Sequence, residues 1–410
     1  MPCLKPPELM NTTPAQKCFF GGLESLRGLA ALLVVFYHLA PLIKNPVTSC
    51  CFVKNGYLMV DMFFILSGFV IFHNYGTKLG SMSEIGRFMM LRFGRLYPLH
   101  LATLLLFLVV ETAKYVGESR YGMVPHETTA FSLNSTSAFI ANLFLVQSFL
   151  ASANFSFNTP SWSISTEFYT YIVFGLAVFF APSRMRMRLT ASGIILLMVS
   201  LLCYNHSYWL GPQPGLCFLR CVLGFFIGVL AYDFFMACNW VAKWGNTAGL
   251  FVVLASAALL ALKPPESAGW DYLVLPLFAT LIVVVAGSAP GVLTNILNSG
   301  PLRWLGKVSY SIYMVHLFVE MITSRLYVSA NALLLKHVQH GWPAGISVFL
   351  LGIFFILLTV AAVLLLSQLT YKWIEIPFQK DFRRLSEIYF SGTLPVEPKG
   401  LADQAGGGVR

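Results

Sequence analysis

Charge is what this sequence has least of. Only 11% of its 410 residues are Asp, Glu, Lys or Arg, against 57% hydrophobic, whereas a soluble domain carries about a quarter charged residues. An ordinary globular enzyme is excluded. Metal-binding signatures are missing too: the eight cysteines (3, 18, 50, 51, 203, 217, 221 and 238) form no Cys-x-x-Cys pair and no Cys/His spacing of the zinc-holding kind, so no metal is expected. Cys217 and Cys221 share a helical face as small apolar residues. The first apolar stretch begins with Glu24 and Arg27, too charged for the centre of a cleavable signal, and no Ala-x-Ala site follows, so it is expected to stay as a span. The two halves carry no internal repeat, and no second domain is expected. Outside the apolar bundle lie a segment at residues 1–19, an outer loop at about 116–159, and a tail at 383–410 whose Gly-rich end (Ala405–Arg410) reads as disordered.

Long hydrophobic runs fill the rest. A span needs about 20 mostly apolar residues, and ten stretches qualify, near 24–43, 57–75, 97–115, 160–181, 188–204, 215–236, 246–262, 271–287, 304–325 and 344–371. The fold class expected is therefore all-α, a polytopic integral membrane protein of about ten transmembrane helices. The run at 138–151 contains Asn142, Gln147 and Ser148 and is too short to span, so it reads as re-entrant or interfacial. A net charge of +10 does not imply nucleic acid here, because bases interleaved with apolar runs follow the membrane's own charge rule. With Met1 in the cytoplasm, inner segments collect more than twice the Lys and Arg of outer loops, which puts both termini inside.

Ionisable groups within spans are costly, and each is a candidate functional residue. Arg27 and His38 are eleven residues apart, which returns them to nearly one helix face, about 16 Å apart along the axis. Asp61 falls about 6 Å in from the outer end of the second span and Glu167 about 10 Å in from that of the fourth, with His38 at comparable depth. His316 and Glu320, one turn apart, reach the outer half of the ninth. Five titratable groups thus converge on the outer half. Arginines gather at the inner half, where Arg92 and Arg95 stand in LRFGRLYP directly before a span. Pro98 at a helix start would fix their geometry, as a phosphate-binding guanidinium pair needs. The cluster of Arg184, Arg186 and Arg188 equally satisfies the orientation rule and attracts anionic lipid.

An imidazole among carboxylates suits general-base chemistry, with His taking a hydroxyl proton while a carboxylate holds its tautomer. Any one of these groups alone could serve only as an interhelical hydrogen bond, the simpler reading of His316, Glu320, His73 and His100.

Six stretches then occur in one order: GLESLRGLAALLVVFYH (Gly22–His38), GYLMVDMFFILSGF (Gly56–Phe69), RFGRLYP (Arg92–Pro98), PSWSISTEFYTY (Pro160–Tyr171), LGKVSYSIYMVH (Leu305–His316) and YKWIEIPFQK (Tyr371–Lys380). Together they resemble membrane acyltransferase family 3, which includes the O-acetyltransferases of bacterial O-antigens, exopolysaccharides, Nod factors and peptidoglycan. The resemblance covers residues 20–382, the expected membrane-embedded acyltransferase domain. The family's Arg-x10-His motif falls on Arg27 and His38, its basic pair on Arg92 and Arg95, and its Trp-Ser…Glu element on Trp162, Ser163 and Glu167.

The resemblance implies a multi-pass protein of the bacterial inner (cytoplasmic) membrane. It would pass an acyl group, acetyl by default, from cytoplasmic acyl-CoA to a hydroxyl of a carbohydrate or glycolipid acceptor at the outer face, such as lipopolysaccharide or exopolysaccharide. Acyl-CoA is then a co-substrate, with no permanently bound cofactor. Its phosphates would sit on Arg92 and Arg95 with Tyr97 beside them, its pantetheine arm would pass Arg27, and the thioester would meet His38. Either His38 deprotonates the acceptor hydroxyl or it is acylated first, with Glu167 or Asp61 orienting the ring. Trp162, Ser163, Tyr310 and His316 are expected to contact the acceptor; Ser309 and Tyr313 belong to the same motif, where aromatic packing is the other role. The loop residues Glu118, Arg120 and Glu127 are further expected acceptor contacts. Many members append a soluble hydrolase-like domain. None is expected here, so transfer would be direct or need a separate partner.

The alternative class is a proton-coupled secondary transporter, since intramembrane His, Asp and Glu also build proton relays. The lack of an internal repeat and the one-sided arginines argue against it. The orientation yields an expected outcome: a membrane-impermeant thiol reagent applied from outside labels Cys50 and Cys51 and spares Cys238, and the opposite pattern would reverse both termini.

Overall fold

The structure is a computed structural model, and it describes residues 20–43, 45–124, 128–150, 155–205, 215–238, 240–264, 269–337 and 344–391. The amino-terminal segment 1–19, Glu127 and the tail from residue 392 lie outside the described residues. Helix is the only regular structure among those described. Hydrocarbon imposes this, because without water a span must close its own backbone hydrogen bonds.

The chain runs from α1 (Gly21–Leu39) through the short α2 (Pro46–Ser49) and α3 (Cys51–Lys54) into α4 (Met59–Tyr75) and the long α5 (Met82–Tyr121). A short α6 (Thr136–Leu143) precedes α7 (Trp162–Phe180), α8 (Arg184–Tyr204), α9 (Cys217–Ala237), α10 (Trp240–Leu262) and α11 (Trp270–Gly287). Two short helices, α12 (Val292–Leu297) and α13 (Gly300–Lys307), lead to α14 (Ser309–His337) and α15 (Ala344–Thr370). The last passes through a π-helical turn (Tyr371–Glu375) into α16 (Ile376–Ser391).

Nine helical segments among the described residues are long and apolar enough to cross a membrane, and the chain is a multi-pass integral membrane protein. They coincide with nine of the expected stretches. The tenth, 304–325, falls on α14, whose 29 residues give ample length but include His316, Glu320, Arg325 and several hydroxyls, which lower its hydropathy. The run at 138–151 holds only the eight-residue α6 and a 3-10 turn at Gln147–Phe149. Its buried polar groups turn back onto the protein: Asn142 donates to Ser156, and Ser148 donates to the Trp162 carbonyl at 2.6 Å.

One expectation fails. Pro98 does not start a helix but lies inside α5, which begins sixteen residues earlier at Met82. Ser81 caps that start by accepting from the Glu84 amide, and Glu84 accepts in return from Gly80. The extension is held by α16, whose Phe382 and Phe390 lie against Gly94 and Gly86 of α5. An antiparallel helix pair therefore forms at the end of the bundle that carries Arg92 and Arg95.

The tightest crossing in the core joins α4 and α9. A Cβ on Gly68 would overlap the carbonyl of Phe225, and one on Gly228 that of Ile65, so the two backbones touch, as small residues allow between membrane helices. At the opposite end, fully buried Lys263 and Asp271 pair at 2.9 Å. Tyr57 donates to Asp271 at 2.9 Å, and Asn55 donates to the Lys263 carbonyl at 2.8 Å, tying the α10–α11 junction to the start of α4. Large apolar side chains such as Leu196, Phe251, Phe354 and Leu357 face outward, where lipid rather than water meets them.

Candidate active site

Five helices enclose a cavity of about 170 Å³. From α1 comes Arg27, from α4 Ser67 and Phe63, from α5 Arg92 and Arg95, from α7 Ser163 and Glu167, and from α14 Tyr310 and Tyr313. Each cation has its own setting. Arg92 lies over the rings of Tyr75 and Phe88, at 5.4 and 5.8 Å, a cation–π cradle that leaves its Nε buried and unpartnered. Arg27 and Arg95 make no hydrogen bond or ion pair with any described residue. Guanidinium forks left open in a shared cavity form a ready site for a multiply charged oxyanion.

Glu167 faces this cavity, not His38. Ser67 and Tyr171 both donate to its Oε1 at 2.6 Å. Tyr310 donates to the Leu96 carbonyl at 2.5 Å, fixing α14 to the turn that carries the arginines. The neighbouring Ser311 donates to Glu375 of the π turn and accepts from Thr370 at 3.0 Å. Arg95 and Arg27 act electrostatically on Glu375.

Asp61 is also turned away from His38. Arg220 of α9 grips both its oxygens, through Nε at 2.8 Å and Nη2 at 2.6 Å, and reaches the Tyr57 carbonyl as well. The guanidinium sits 5.4 Å from the Trp162 ring centroid. Both members are buried, with side chains 4% and 1% exposed. Asp61 is thus half of a structural ion pair.

His38 lies at the end of α1 and lines a second cavity, of about 500 Å³, with Tyr37, Ser49, Lys54, Phe155, Thr159 and Trp162. Its Nδ1 is 3.1 Å from the Val34 carbonyl and 3.4 Å from Nε2 of His316, whose Nδ1 is 3.3 Å from the Ile312 carbonyl. A carbonyl oxygen only accepts, so each Nδ1 carries the proton. His316 Nε2 is then free to accept from His38, and His38 Nε2 keeps its lone pair with no partner among the described residues. Fully buried His316 backs His38 and lines neither cavity. One turn further along α14, both oxygens of buried Glu320 lack a hydrogen-bond partner.

Among the residues expected from the sequence, the structure gathers Arg27, Arg92, Arg95, Glu167, Ser163 and Tyr310 around one cavity and places His38 with Trp162 at the other. It does not gather the rest. Tyr97 stacks on Phe93 at 4.3 Å and donates to the Leu143 carbonyl, because two residues along α5 from Arg95 is the opposite face. Neither Asp61 nor Glu167 orients His38; His316 stands where a carboxylate was expected. His73 bonds Tyr232 and His100 bonds the Asn142 carbonyl, as interhelical links. Glu118 accepts from the Ala130 amide, within its own loop.

Ser309 and Tyr313, expected as cavity-lining candidates of the ninth-span motif, also line the arginine cavity, whereas Arg220 and Tyr171 received no role from the sequence. Arg220 had a legible signal, since a lone cation and a lone anion inside apolar spans invite pairing. Tyr171 had none, as spacing does not say which neighbouring helix a phenol meets.

Comparison with known proteins bears on the same residues. A family profile described as an acyltransferase domain matches residues 20–368. The acyltransferase MdmB of Streptomyces mycarofaciens is 28% identical over 74% of this chain and 80% of its own length. Protein 2 in the picA locus of Rhizobium radiobacter is 30% identical over 47% of this chain and 98% of its own. The peptidoglycan O-acetyltransferase OatA of Listeria monocytogenes is 23% identical over 91% of this chain, which spans 58% of that longer protein. No solved structure matches.

Whether the Asp61–Arg220 pair is structural alone is measurable. Removing one partner of a buried ion pair strands the other charge at a cost of roughly 3–5 kcal/mol, whereas an apolar pair of similar volume is tolerated. Arg220→Ala is expected to lower the melting temperature in detergent sharply, and Asp61→Leu with Arg220→Met together to recover most of the loss with acyl transfer retained. A double variant that folds but has lost transfer would return Asp61 to the reaction.

Proposed function

The chain belongs to the acyltransferase family whose profile spans residues 20–368, and we propose that it carries an acyl group from acyl-CoA to a hydroxyl of a carbohydrate acceptor, with His38 as general base. The observation that carries this reading is the state of His38. Its Nδ1–H is committed to Val34 and His316, and the remaining nitrogen is a lone-pair base beside a cavity large enough for a sugar ring. General-base removal of the hydroxyl proton typically contributes about 10²–10⁴-fold.

The donor end follows from charge. Acyl-CoA is a polyphosphate on a long narrow arm, and Arg92, Arg95 and Arg27 offer cations in sequence into the bundle, with Arg27 and Arg95 unoccupied. The phosphates bind at the arginines and the pantetheine arm fills the cavity toward α14. With Met1 in the cytoplasm, the arginine end faces the cytoplasmic pool of acyl-CoA and His38 faces the outer surface of the cell membrane.

The acceptor is read from its cavity. Tyr37, Phe155 and Trp162 offer rings against which the C–H faces of a sugar stack, and Ser49, Thr159 and Lys54 add polar groups at the rim. That OatA is named as acting on peptidoglycan supports a carbohydrate as the acceptor class. Acetyl is the group proposed for transfer.

His38→Ala, verified as inserted and folded, is expected to cut transfer of labelled acetyl from acetyl-CoA to membrane carbohydrate by a hundredfold or more, following the general-base range. Arg95→Ala is expected to raise KM for acetyl-CoA about tenfold, the loss of one charge-assisted contact, with kcat little changed. Full activity without the imidazole would remove His38 from the mechanism, and an unaltered KM would move the donor elsewhere.

A further inference from the structure

The arginine cavity and the His38 cavity share no lining residue, and Tyr313 stands between the residues of one and those of the other. Tyr313 lines the arginine cavity with Phe63, Phe64 and Ser163, while its ring lies 5.9 Å from that of His316, the residue that touches His38. Trp162, adjacent to Ser163, lines the other cavity. Phe63 meets the Tyr313 ring edge-on at 5.9 Å, and Phe64 meets Trp162 at 6.2 Å, so the partition is aromatic apart from two hydroxyls.

Those hydroxyls converge on one acceptor. Tyr313 Oη is 3.0 Å from the Pro160 carbonyl and 2.8 Å from Ser163 Oγ, and Ser163 donates to the same Pro160 carbonyl at 3.1 Å. The two tethers differ in kind. Ser163 bonds back within its own helical start, three residues away, whereas the Tyr313 phenol arrives from α14 across the bundle. If Tyr313 swings free, Pro160 keeps a donor in Ser163 and no buried acceptor is orphaned. The phenol can therefore leave by giving up its contacts with the Pro160 carbonyl and Ser163 Oγ, with no buried carbonyl stranded.

We infer that Tyr313 is the door between the donor and acceptor cavities, and that its phenol leaves the Pro160 carbonyl to donate to the thioester carbonyl oxygen during transfer. This rests on the reading above that the donor fills the arginine cavity and the acceptor lies beside His38. The acceptor hydroxyl gives its proton to His38 Nε2 and its oxygen bonds to the thioester carbon. The C=O electron pair moves onto oxygen, where Tyr313 O–H stabilises it. Collapse restores C=O and breaks the C–S bond, and the proton held by His38 balances the departing thiolate. Closed, the same side chain keeps water in the His38 cavity away from the thioester.

Acetyl-CoA alone tests the door, and labelled transfer to membrane carbohydrate tests the phenol. Tyr313→Phe keeps the ring and loses the donor: transfer is expected to fall at least tenfold, within the range known for single oxyanion donors, with KM for acetyl-CoA within twofold and no added hydrolysis. Tyr313→Ala opens the passage, and acceptor-independent release of CoA thiol is expected to rise at least tenfold. Adding His38→Ala is expected to abolish that rise, because water then lacks its base. Wild-type transfer by Tyr313→Phe overturns the phenol's role. Folded Tyr313→Ala that releases no extra thiol overturns the partition. Both results count against this inference alone when His38→Ala by itself is inactive; an active His38→Ala instead brings down the underlying reading, and this inference with it.

Discussion

The ion pair between Asp61 and Arg220 is the interaction on which the remaining geometry depends. Two opposite charges with no water around them are stable only in contact and fully hydrogen-bonded, so this pair fixes the rotation of α4 relative to α9. The backbone contact at Gly68 and Gly228 admits only that rotation. Arg220 also lies under the Trp162 ring, which extends the constraint to the start of α7. Trp162 then forms a wall of the His38 cavity, and Ser163, next in sequence, a wall of the arginine cavity. A pair that lines neither cavity thus sets the position of both.

On the other side, α14 is the shared beam. Ser309, Tyr310 and Tyr313 face the arginine cavity, His316 backs His38, and Ser311 holds the π turn through Glu375. A π turn adds a residue to one helical turn, which rotates the following side chains and is common at functional positions. Here it brings Glu375, 3% exposed, inward to Ser311 where the last span ends. Arginines at one end and a neutral imidazole pair at the other, joined through one helix, make the site polar along the membrane normal.

Much of this was legible in the sequence. Apolar run length located nine of the spanning segments because lipid leaves few alternatives. The cost of charge in hydrocarbon singled out Arg27, His38 and Glu167, and the basic pair directly before a span singled out Arg92 and Arg95, before any contact was known. The errors share one cause. Depth along a helix can be counted at 1.5 Å per residue, but the neighbour a side chain meets depends on helix order and rotation, which a single sequence does not encode. Asp61 and Glu167 are at depths that suit His38 and face elsewhere. Pro98 suggested a helix start because the support from α16, nearly three hundred residues later, was invisible locally. α14 falls short as a span by composition for the reason that it serves the site: its polar residues recur every three or four positions along one buried face.

That a second imidazole, not a carboxylate, backs His38 has a physical rationale. A carboxylate beside His38 would add a permanent charge next to buried His316 and the rings of Tyr37, Phe155 and Trp162, and such a charge needs its own cation. Of the carboxylates nearby, Asp61 is committed to Arg220 and Glu167 to the hydroxyls of Ser67 and Tyr171, while Glu320, one turn beyond His316, is buried without a hydrogen-bond partner and does not reach His38. His316 orients the ring at no such cost. In their Nδ1–H forms the two rings make a neutral chain that starts at the Ile312 carbonyl, and charge appears only when His38 takes a proton. Under the proposed reaction the imidazole pair is uncharged at rest and gains its charge only as the acceptor hydroxyl is deprotonated, which places the stabilisation on the step that needs it.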